Sequence, residues 1–414
     1  MFEIYIIIIS FISLYVSVFW IIVSSLTKTN EVPKLKEMPF VSIAVPAWNE
    51  EKTIIQTLQS LIDLDYDKNK LEIIVVDDGS TDNTKNVVEQ FIKEHKIKYI
   101  KLISQKNTGK AGALNTALKN VKCEFFGVFD ADSIASRQSL KVMLPYFSVA
   151  DNVGAVITPI KVADPKNIIE KVQRIEYIFS SFIRKLMSNV GTLHITHGVL
   201  SLFRADVLKK LGGFDDVKNK NLTEDYEIAL RLTNNHYQIL LCEENINYTK
   251  VPDNVRTLWF QRVRWFRGFI VNGIKYRNMI MRKRYGLLGR FQIPLELFTF
   301  LIVITSFCFF LYQAVNKIYN LLIRIYILRF DIFSFTLPTI KEIILGLNFK
   351  LVFPFFVTLI AGLYIYNMAH RYVDEKWRFH LVSFIYLFLY PFIRTFQWVH
   401  ALILEIFGAK ERWR

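Results

Sequence analysis

An uncharged apolar run near the start of the chain, residues 4–23, constrains the fold more than any other feature. About 20 such residues are enough for one helix to cross the hydrocarbon core of a bilayer. Lys28, Lys34 and Lys36 follow the run, and the positive-inside rule then places the downstream side in the cytoplasm and the N-terminus outside. A cleaved signal peptide is disfavoured, because no basic segment precedes the run and no A-x-A-like site follows it.

Composition extends this membrane assignment to the last third of the chain. Hydrophobic residues make up 52% of the 414 residues, which is too apolar for an ordinary soluble protein. Charged residues are scarce at both ends and common from about residue 28 to residue 290. We expect about three further spans, at residues 291–311, 343–368 and 380–407; the last is either one kinked span or a span plus an interfacial piece. Whether residues 317–340 span the membrane stays open, because they contain Arg324, Arg329 and Asp331.

Charge and cysteine content exclude several classes of function. The excess of 52 Lys and Arg over 37 Asp and Glu fits cytoplasmic loops and an anionic nucleotide substrate. Nucleic acid is not an expected partner, because no basic stretch carries a recognised nucleic-acid-binding pattern. Cys123, Cys242 and Cys308 are far apart, which disfavours a disulfide scaffold or a zinc knuckle.

Between the membrane segments, strand and helix patterns alternate. Buried strands are predicted at residues 41–45, 71–76, 99–103 and 125–129, with amphipathic helices between them. Asn49 is the expected N-cap of the first of these helices. Such an order predicts an α/β domain with a mostly parallel sheet, whose ligands bind beyond the carboxyl ends of the strands. Residues 167–189 form a long helix, either in the core or at the membrane surface.

The first chemical motif is the acidic turn that ends the second strand, at Asp77, Asp78 and Gly79. A carboxylate in this place can accept a hydrogen bond from the imide of a uracil, while Gly79 permits a sharp turn. The alternative is a structural turn with a helix cap.

The second motif is Asp130-Ala131-Asp132, after the fourth strand. Residues i and i+2 on extended backbone point to the same side, so the two carboxylates converge. Two close anions repel unless a cation lies between them, and oxygen ligands favour Mg²⁺ or Mn²⁺ over zinc. The alternative is a solvated surface turn.

Two further motifs follow in the second half of the soluble part. Thr223-Glu224-Asp225 is typical of a helix start, or else Asp225 is a general base that takes a proton from an acceptor hydroxyl. The segment from Gln261 to Trp265, with Arg264 inside it, either grips a diphosphate and stacks on a sugar or forms an interfacial amphipathic helix. Both readings can hold for one helix.

Three other patterns do not support a nucleotide-binding loop, a dinucleotide-binding motif or a histidine metal site. Residues around Gly109 and Lys110 lack the spacing of a Walker cradle, and no G-x-G-x-x-G follows the first strand. The pair His194 and His197 is a weak metal signal.

The four motifs, in this order, resemble those of the membrane-embedded family 2 glycosyltransferases. This family contains the cellulose, chitin, hyaluronan and poly-N-acetylglucosamine synthases and the nodulation-factor chitooligosaccharide synthase. The likeness covers nearly the whole chain and is strongest over residues 41–268. Supporting stretches are Pro46-Ala47-Trp48-Asn49-Glu50, Gly109-Lys110-Ala111-Gly112-Ala113-Leu114-Asn115 and Leu211-Gly212-Gly213-Phe214.

The resemblance implies a GT-A domain and a role for each matched residue. Asp225 would be the catalytic base, and Asp130 and Asp132 would hold Mg²⁺ or Mn²⁺. Pro46, Glu50 and Asp78 would hold the uridine, and Lys110 would lie near the phosphates. The implied substrate-binding residues are, in full, Pro46, Glu50, Asp78, Lys110, Asp130, Glu224, Gln261, Arg264 and Trp265.

The resemblance also implies an architecture. A transmembrane helix at residues 1–27 would precede a cytoplasmic catalytic domain at 28–255. Interfacial helices at 256–289 would lead into a C-terminal transmembrane region at 290–414. The protein would be a multi-pass protein of the cell membrane. Fewer spans than in the cellulose synthases suggest that a homo-oligomer or an accessory membrane protein completes any translocation channel.

The activity that the resemblance implies is inverting, processive transfer from a UDP-sugar, first UDP-N-acetylglucosamine, to the end of a growing polysaccharide. One alternative is a non-processive glycosyltransferase acting on a lipid carrier. An alternative of another class is a membrane transporter with a cytosolic regulatory domain, which the scattered Glu296, Arg324 and Asp331 support poorly.

Overall fold

The protein is described from a computed structural model, in which residues 2–25, 32, 37–215, 221–327, 349–375 and 380–408 are described. The chain divides into two compact units. One unit, which we call the catalytic unit, comprises Thr27–Pro294 and Arg378–Arg414. The other, which we call the helical unit, comprises Met1–Leu26 and Leu295–Trp377.

The catalytic unit is built on a seven-stranded sheet in the order β3-β2-β1-β4-β8-β6-β9 and a three-stranded sheet in the order β5-β10-β7. In the large sheet only β8 is antiparallel to its neighbours. The strands are β1 Val41–Ala47, β2 Leu71–Asp77, β3 Ile100–Ser104, β4 Phe125–Phe129, β5 Ser133–Ile134, β6 Val153–Ile157, β7 Ile160–Val162, β8 Val199–Arg204, β9 Gln238–Leu241 and β10 Asn247–Thr249.

Helices connect the strands and continue after the sheets. In chain order the α-helices are α1 Phe2–Ser25, α2 Ile54–Ile62, α3 Thr84–His95, α4 Lys110–Lys119, α5 Ser139–Met143, α6 Ile168–Asn189, α7 Ala205–Lys210, α8 Glu224–Asn234, α9 Val255–Lys275, α10 Ile293–Ile327, α11 Phe349–Tyr372, α12 Leu381–Phe384 and α13 Tyr390–Ile406. Short 3-10 turns occur at Leu144–Ser148, Arg277–Met279 and Lys283–Tyr285, and π-helical turns at Leu288–Gln292 and Ile385–Leu389.

The parallel part of the sheet forms because its strands are apolar on both faces. Every residue of β4 is buried, and so are six of the seven residues of β1 and of β2. Burial of each Val, Ile or Phe side chain stabilises the fold by about 1.5–3 kcal/mol, and only a sheet covered by helices on both faces buries whole strands. The mostly parallel sheet predicted from the sequence is therefore confirmed.

Asn49 does not cap the first helix, contrary to the prediction. The helix begins at Ile54 with Thr53 at the N-cap, and Asn49 has a positive φ of 58°. Its side-chain oxygen instead accepts a hydrogen bond from the Thr81 backbone N–H at 2.8 Å. Asn tolerates this left-handed conformation better than most residues. The residue that the sequence predicted as a helix cap therefore links the loops that follow β1 and β2.

The long helix predicted at residues 167–189 is present as α6 and belongs to the core. Asn167 caps it, accepting from the Glu170 N–H, while the Glu170 side chain accepts from the Asn167 N–H. Its buried side chains include Ile178, Phe182 and Leu186. Of the two sequence interpretations, the structure favours the core helix.

Three helices are long and apolar enough to cross a membrane among the described residues, judged by length and composition: Ile4–Ser25, Leu288–Ile327 and Leu381–Ile406. The third contains the π-helical turn at Ile385–Leu389, which ends two residues before Pro391. In the predicted span at 343–368, residues from 349 onward form α11, and residues 343–348 lie outside the described residues. Residues 317–327 continue α10, whereas 328–340, with Arg329 and Asp331, also lie outside.

Candidate active site

A cavity of about 950 Å³ opens at the carboxyl edge of the large sheet. β1, β2 and β4 end at this edge, since Ala47 pairs with Asp77 and β4 runs parallel to β1. The cavity is lined by Pro46, Ala47, Trp48, Glu50, Asp78, Asn107, Thr108, Gly109, Lys110, Gly112, Asn115, Thr116, Lys119, Asp130, Ala131, Asp132 and Arg264. The volume lies at the upper end of the range for small-molecule sites, 300–1,000 Å³ or so.

Asp78 holds the loop that follows β3. Its Oδ1 accepts from the Thr108 N–H at 2.9 Å and from Gln105 Nε2 at 2.7 Å. Its Oδ2 accepts from the Gly109 N–H at 2.8 Å. Gly79 permits this close approach, because a Cβ at that position would lie 2.9 Å from the Asn107 nitrogen. Asp78 therefore lines the cavity and also fixes the backbone of Thr108 and Gly109, which form part of the cavity wall.

Lys110, the first residue of α4, joins two acidic motifs that are distant in sequence. Its Nζ lies 2.6 Å from Asp130 Oδ1 and 3.0 Å from Glu224 Oε1. Burial alone would lower the pKa of Lys110, but attraction to Asp130 and Glu224 outweighs burial and raises that pKa. Burial would raise the pKa of Glu224, but Lys110 and then Arg264 lower it. Both groups are therefore charged at neutral pH.

Asp132 lies in a surplus of negative charge. Burial, followed by repulsion from Asp130 and Glu50, raises the pKa of Asp132 to about 7. Asp130 approaches the backbone of Gly198 so closely that a Cβ on Gly198 would lie 1.9 Å from Asp130 Oδ2. The two carboxylates that the sequence predicted to converge thus line one cavity, with Gly198 providing room for one of them.

Asp225 lies in the first turn of α8, beside Glu224. Its Oδ1 accepts from the Tyr226 N–H at 2.8 Å, and its backbone carbonyl accepts from Thr196 Oγ1 at 2.7 Å. Burial, followed by repulsion from Glu224, raises the pKa of Asp225 to about 6, against the opposing effect of Lys110. A carboxylate with this pKa is ionised at neutral pH and more basic than usual, which suits a general base.

Helix α9 carries the last motif, and its arginines differ in environment. Arg264 lines the cavity. Arg262 is 1% exposed and lies inside the catalytic unit, with its guanidinium 4.1 Å from the centre of the Trp265 ring. Arg262 Nη1 donates to Gln261 Oε1. The start of α8 packs closely on α9, because a Cβ on Gly268 would lie 2.3 Å from Thr223 Oγ1.

The predicted site residues fall into two groups. Those that line the cavity are Pro46, Glu50, Asp78, Lys110, Asp130, Asp132 and Arg264. Glu224 is not a lining residue, but it forms an ion pair with Lys110, which lines the cavity. Asp225, Gln261 and Trp265 are not among the lining residues, and their roles stay predictions.

Sequence reasoning missed several residues that shape this site. Gly198 and Gly268 contribute by close approach, and Arg262 contributes by its contacts with Gln261 and the Trp265 ring; a single sequence carries no signal for either. Thr108 and Gly109 belong to the stretch whose spacing does not match a phosphate-binding Walker loop. Their backbone N–H groups bind a protein carboxylate.

The donor set fits a hard divalent cation. Asp130 and Asp132 supply only carboxylate oxygens, the ligands that Mg²⁺ and Mn²⁺ prefer. Repulsion from Asp130 and Glu50 adds to burial in raising the pKa of Asp132. Within the described ranges, no group of three or more His, Cys, Asp or Glu residues could hold a metal. His197, of the weak histidine pair, instead contacts the Thr158 carbonyl through Nε2 at 3.0 Å.

Comparison with known proteins identifies relatives of the chain. Residues 42–212 match the family described as Glycosyl transferase family 2. A poly-β-1,6-N-acetyl-D-glucosamine synthase of Staphylococcus epidermidis is 32% identical over 229 residues, which are 55% of this chain and 54% of the relative. A probable glycosyltransferase of Bacillus subtilis is 31% identical over 298 residues, 69% of this chain and 67% of the relative. The chain thus spans about half the length of the first of these relatives.

A solved structure shares the fold. The mannosyltransferase of Pyrobaculum calidifontis, in complex with GDP-Man and Mn²⁺, superposes with a TM-score of 0.66 at 19% identity, covering 99% of this chain and 100% of that one. The predicted GT-A α/β fold is therefore confirmed. Together, the two-thirds coverage of the Bacillus subtilis relative and the family match across the sheet confirm the resemblance seen in the motifs: the chain belongs to glycosyltransferase family 2.

Proposed function

We propose that this glycosyltransferase transfers a sugar from a UDP-sugar, first UDP-N-acetylglucosamine, to the end of a growing polysaccharide with inversion at the anomeric carbon. One observation carries the proposal: a cavity large enough for a nucleotide sugar is lined by Lys110 and by carboxylates from three separate stretches, and Lys110 also contacts Glu224 from a fourth. The choice of N-acetylglucosamine is supported by the name of the Staphylococcus epidermidis relative.

The nucleoside end of the donor would occupy the part of the cavity near β1 and β2. Pro46, Glu50 and Asp78 line it there. Of the two Asp78 oxygens, Oδ1 accepts from Gln105 and from Thr108, whereas Oδ2 accepts from the Gly109 N–H. Because a carboxylate oxygen offers two lone pairs, Oδ2 is the atom to which a uracil imide would donate.

The diphosphate and the sugar would lie toward Lys110 and Arg264. Both cations line the cavity, and guanidinium and ammonium groups bind phosphate oxygens strongly. Gln261 and Trp265 would act on the diphosphate and on the acceptor sugar. Asp225, with its pKa raised to about 6, would take the proton from the acceptor hydroxyl as that oxygen attacks the anomeric carbon and UDP leaves.

Asp130 and Asp132 would hold Mg²⁺ or Mn²⁺. When bound, the ion would neutralise charge that develops on the diphosphate leaving group. Burial, followed by repulsion from Asp130 and Glu50, raises the pKa of Asp132. A cation between the two carboxylates would relieve that repulsion, which supports this assignment. The fold neighbour was solved with Mn²⁺.

The protein would act as a multi-pass protein of the cell membrane, with its catalytic domain at residues 28–255 on the cytoplasmic face. Three helices of sufficient length and apolarity support membrane insertion, and the lysines after the first support its orientation. Interfacial helices at 256–289 would connect this domain to the transmembrane region at 290–414. A second copy or an accessory membrane protein would complete an export path.

The experiment is product analysis with membranes that contain the protein. A panel of UDP-sugars and GDP-mannose is supplied in turn with Mg²⁺, and products are sized and digested with linkage-specific hydrolases. We expect polymer from one UDP-sugar and none from membranes that contain the Asp225→Asn variant. Single-sugar addition to a lipid would instead support the non-processive alternative. Use of GDP-mannose alone would refute the nucleotide assignment.

A further inference from the structure

Among the described residues of the catalytic unit, Arg262 is the most buried cation that the proposed reaction does not use. It is 1% exposed, and it contacts the two functional side chains on either side of it in the α9 sequence. Nη1 donates to Gln261 Oε1, and the guanidinium lies 4.1 Å from the centre of the Trp265 ring. A cation over an indole face restrains the ring as well as attracting it. The conformation of both side chains therefore depends on where Arg262 is held.

Glu176 of α6 is the carboxylate that pairs with Arg262, and Gln173 of the same helix accepts a longer hydrogen bond from Arg262 Nη2, at 3.4 Å. Glu176 Oε2 lies 2.7 Å from Arg262 Nη2, with side-chain exposures of 12% and 1%. The same oxygen accepts from the Tyr390 hydroxyl of α13 at 2.9 Å, and Arg394 Nη1 lies 4.0 Å from Oε1. Burial would raise the pKa of Glu176, but Arg262 and then Arg394 outweigh burial and lower it. The carboxylate is thus ionised and contacts α9 and α13 together.

We propose that Glu176 is a positioning residue for α9: by fixing the guanidinium of Arg262, it sets the orientation of the Gln261 amide and the Trp265 indole. The inference rests on the function proposed above, in which Gln261 and Trp265 act on the diphosphate and the acceptor. Glu176 is not among the residues lining the cavity, so it acts through Arg262 rather than on a substrate.

The chain offers a matched control for this role. Arg267, five residues further along α9, pairs with Glu405 of α13. That pair also joins α9 to α13 through a partly buried ion pair, and the pair itself involves neither Gln261 nor Trp265. Glu405→Gln therefore reproduces the loss of one ionic contact between α9 and its surroundings without touching Arg262.

The first test observes the indole directly in the full-length protein. The protein contains seven Trp, and 5-fluorotryptophan labelling gives each a ¹⁹F resonance in detergent; Trp265→Phe assigns the resonance of interest. We expect Glu176→Gln to shift the Trp265 resonance, Glu176→Asp to shift it less, and Glu405→Gln to leave it in place. A Trp265 resonance that stays in place in both Glu176 variants, or that moves equally in Glu405→Gln, would overturn the proposal.

The second test is kinetic. Because a misplacement of about 1 Å at a reacting centre costs about 100-fold in rate, we expect Glu176→Gln to reduce kcat about 100-fold and also to raise the KM for UDP-sugar, since Gln261 is assigned to the diphosphate, whereas Glu405→Gln should change neither constant. Glu176→Asp should restore part of the loss. In an Arg262→Met background, Glu176→Gln should add little, because residues that act through one contact are not additive. Full additivity would refute the pathway through Arg262.

The two tests keep the proposals apart. If the wild-type protein transfers no sugar from any UDP-sugar, the proposed function fails, and the ¹⁹F measurement still decides whether Glu176 orients Trp265. If the wild type is active and Glu176→Gln behaves like Glu405→Gln in rate and resonance, the positioning role fails and the proposed function stands.

Discussion

Replacing Gly198 by Ala is the sharpest perturbation of the site that the structure allows. A Cβ there would lie 1.9 Å from Asp130 Oδ2 and 2.3 Å from its Cγ, whereas real Cβ contacts essentially never fall below 3.0 Å. The carboxylate must therefore retreat by at least 3.0 − 1.9 = 1.1 Å. The Asp130 backbone cannot easily follow, because its N–H donates to the Gly198 carbonyl at 2.7 Å.

The cost follows from this displacement. Turning the side chain of Asp130 stretches its 2.6 Å contact with Lys110 Nζ and moves a proposed metal ligand. A shift of about 1 Å at a reacting centre lowers the rate about 100-fold, or about 2.7 kcal/mol in activation free energy. Because the cavity gives the carboxylate somewhere to go, we expect thermal stability to change little.

The assay is the initial rate of sugar transfer from UDP-sugar, with the unfolding temperature measured in parallel. Gly273→Ala is the matched control, since a Cβ at Gly273 of α9 would meet nothing within 4 Å. We expect Gly273→Ala to retain wild-type activity and Gly198→Ala to lose about 100-fold. A Gly198→Ala enzyme within threefold of wild type would refute the idea that the position of Asp130 matters for the reaction.

Four other predictions concern the same site. Asp225→Asn should lower turnover by about 10²–10⁴-fold while Mg²⁺-dependent UDP binding, followed by calorimetry, stays within a few-fold; unchanged turnover would remove Asp225 from its role. Because the pKa of Asp225 is raised to about 6 and a base works deprotonated, kcat/KM should rise with pH and be half-maximal near 6; a flat profile through that region would contradict the assignment. EDTA should silence the enzyme and Mg²⁺ or Mn²⁺ restore it, whereas metal-independent transfer would contradict the roles of Asp130 and Asp132. Asp78→Asn places an amide where backbone N–H groups now donate and should cost about 1–3 kcal/mol of folding stability, so an unchanged unfolding temperature would count against that contact.

The residues at strand ends could be predicted because they follow from local periodicity. Asp78 and Asp130 each come directly after an apolar strand, and parallel strands bring such residues to one edge. Spacing along α9 carries less information: Gln261, Arg264 and Trp265 lie at i, i+3 and i+4 on one helix face, but of these three only Arg264 lines the cavity. Arg262 lies three residues before Trp265 and contacts it, and its burial beside Glu176 has no signal in the spacing.

The partners of those residues could not be predicted in the same way. Lys110 meets Glu224 across more than a hundred residues, and no local pattern encodes a contact between distant stretches. Gly198 precedes β8, the antiparallel strand, and its lack of a side chain matters only because Asp130 faces it. The prediction for Asn49 was wrong because an Asn side chain can accept a hydrogen bond from the first turn of a helix or from a loop. In the structure it accepts one from the Thr81 N–H.

The contact between Asp78 and the loop that follows β3 links two ends of the site mechanically. Thr108 and Gly109 are held by that carboxylate, and the next residue, Lys110, begins α4 and reaches Asp130 and Glu224. The carboxylate proposed to meet the base and the ammonium proposed to lie near the phosphates are therefore joined by two residues of main chain, so the position of one fixes the position of the other.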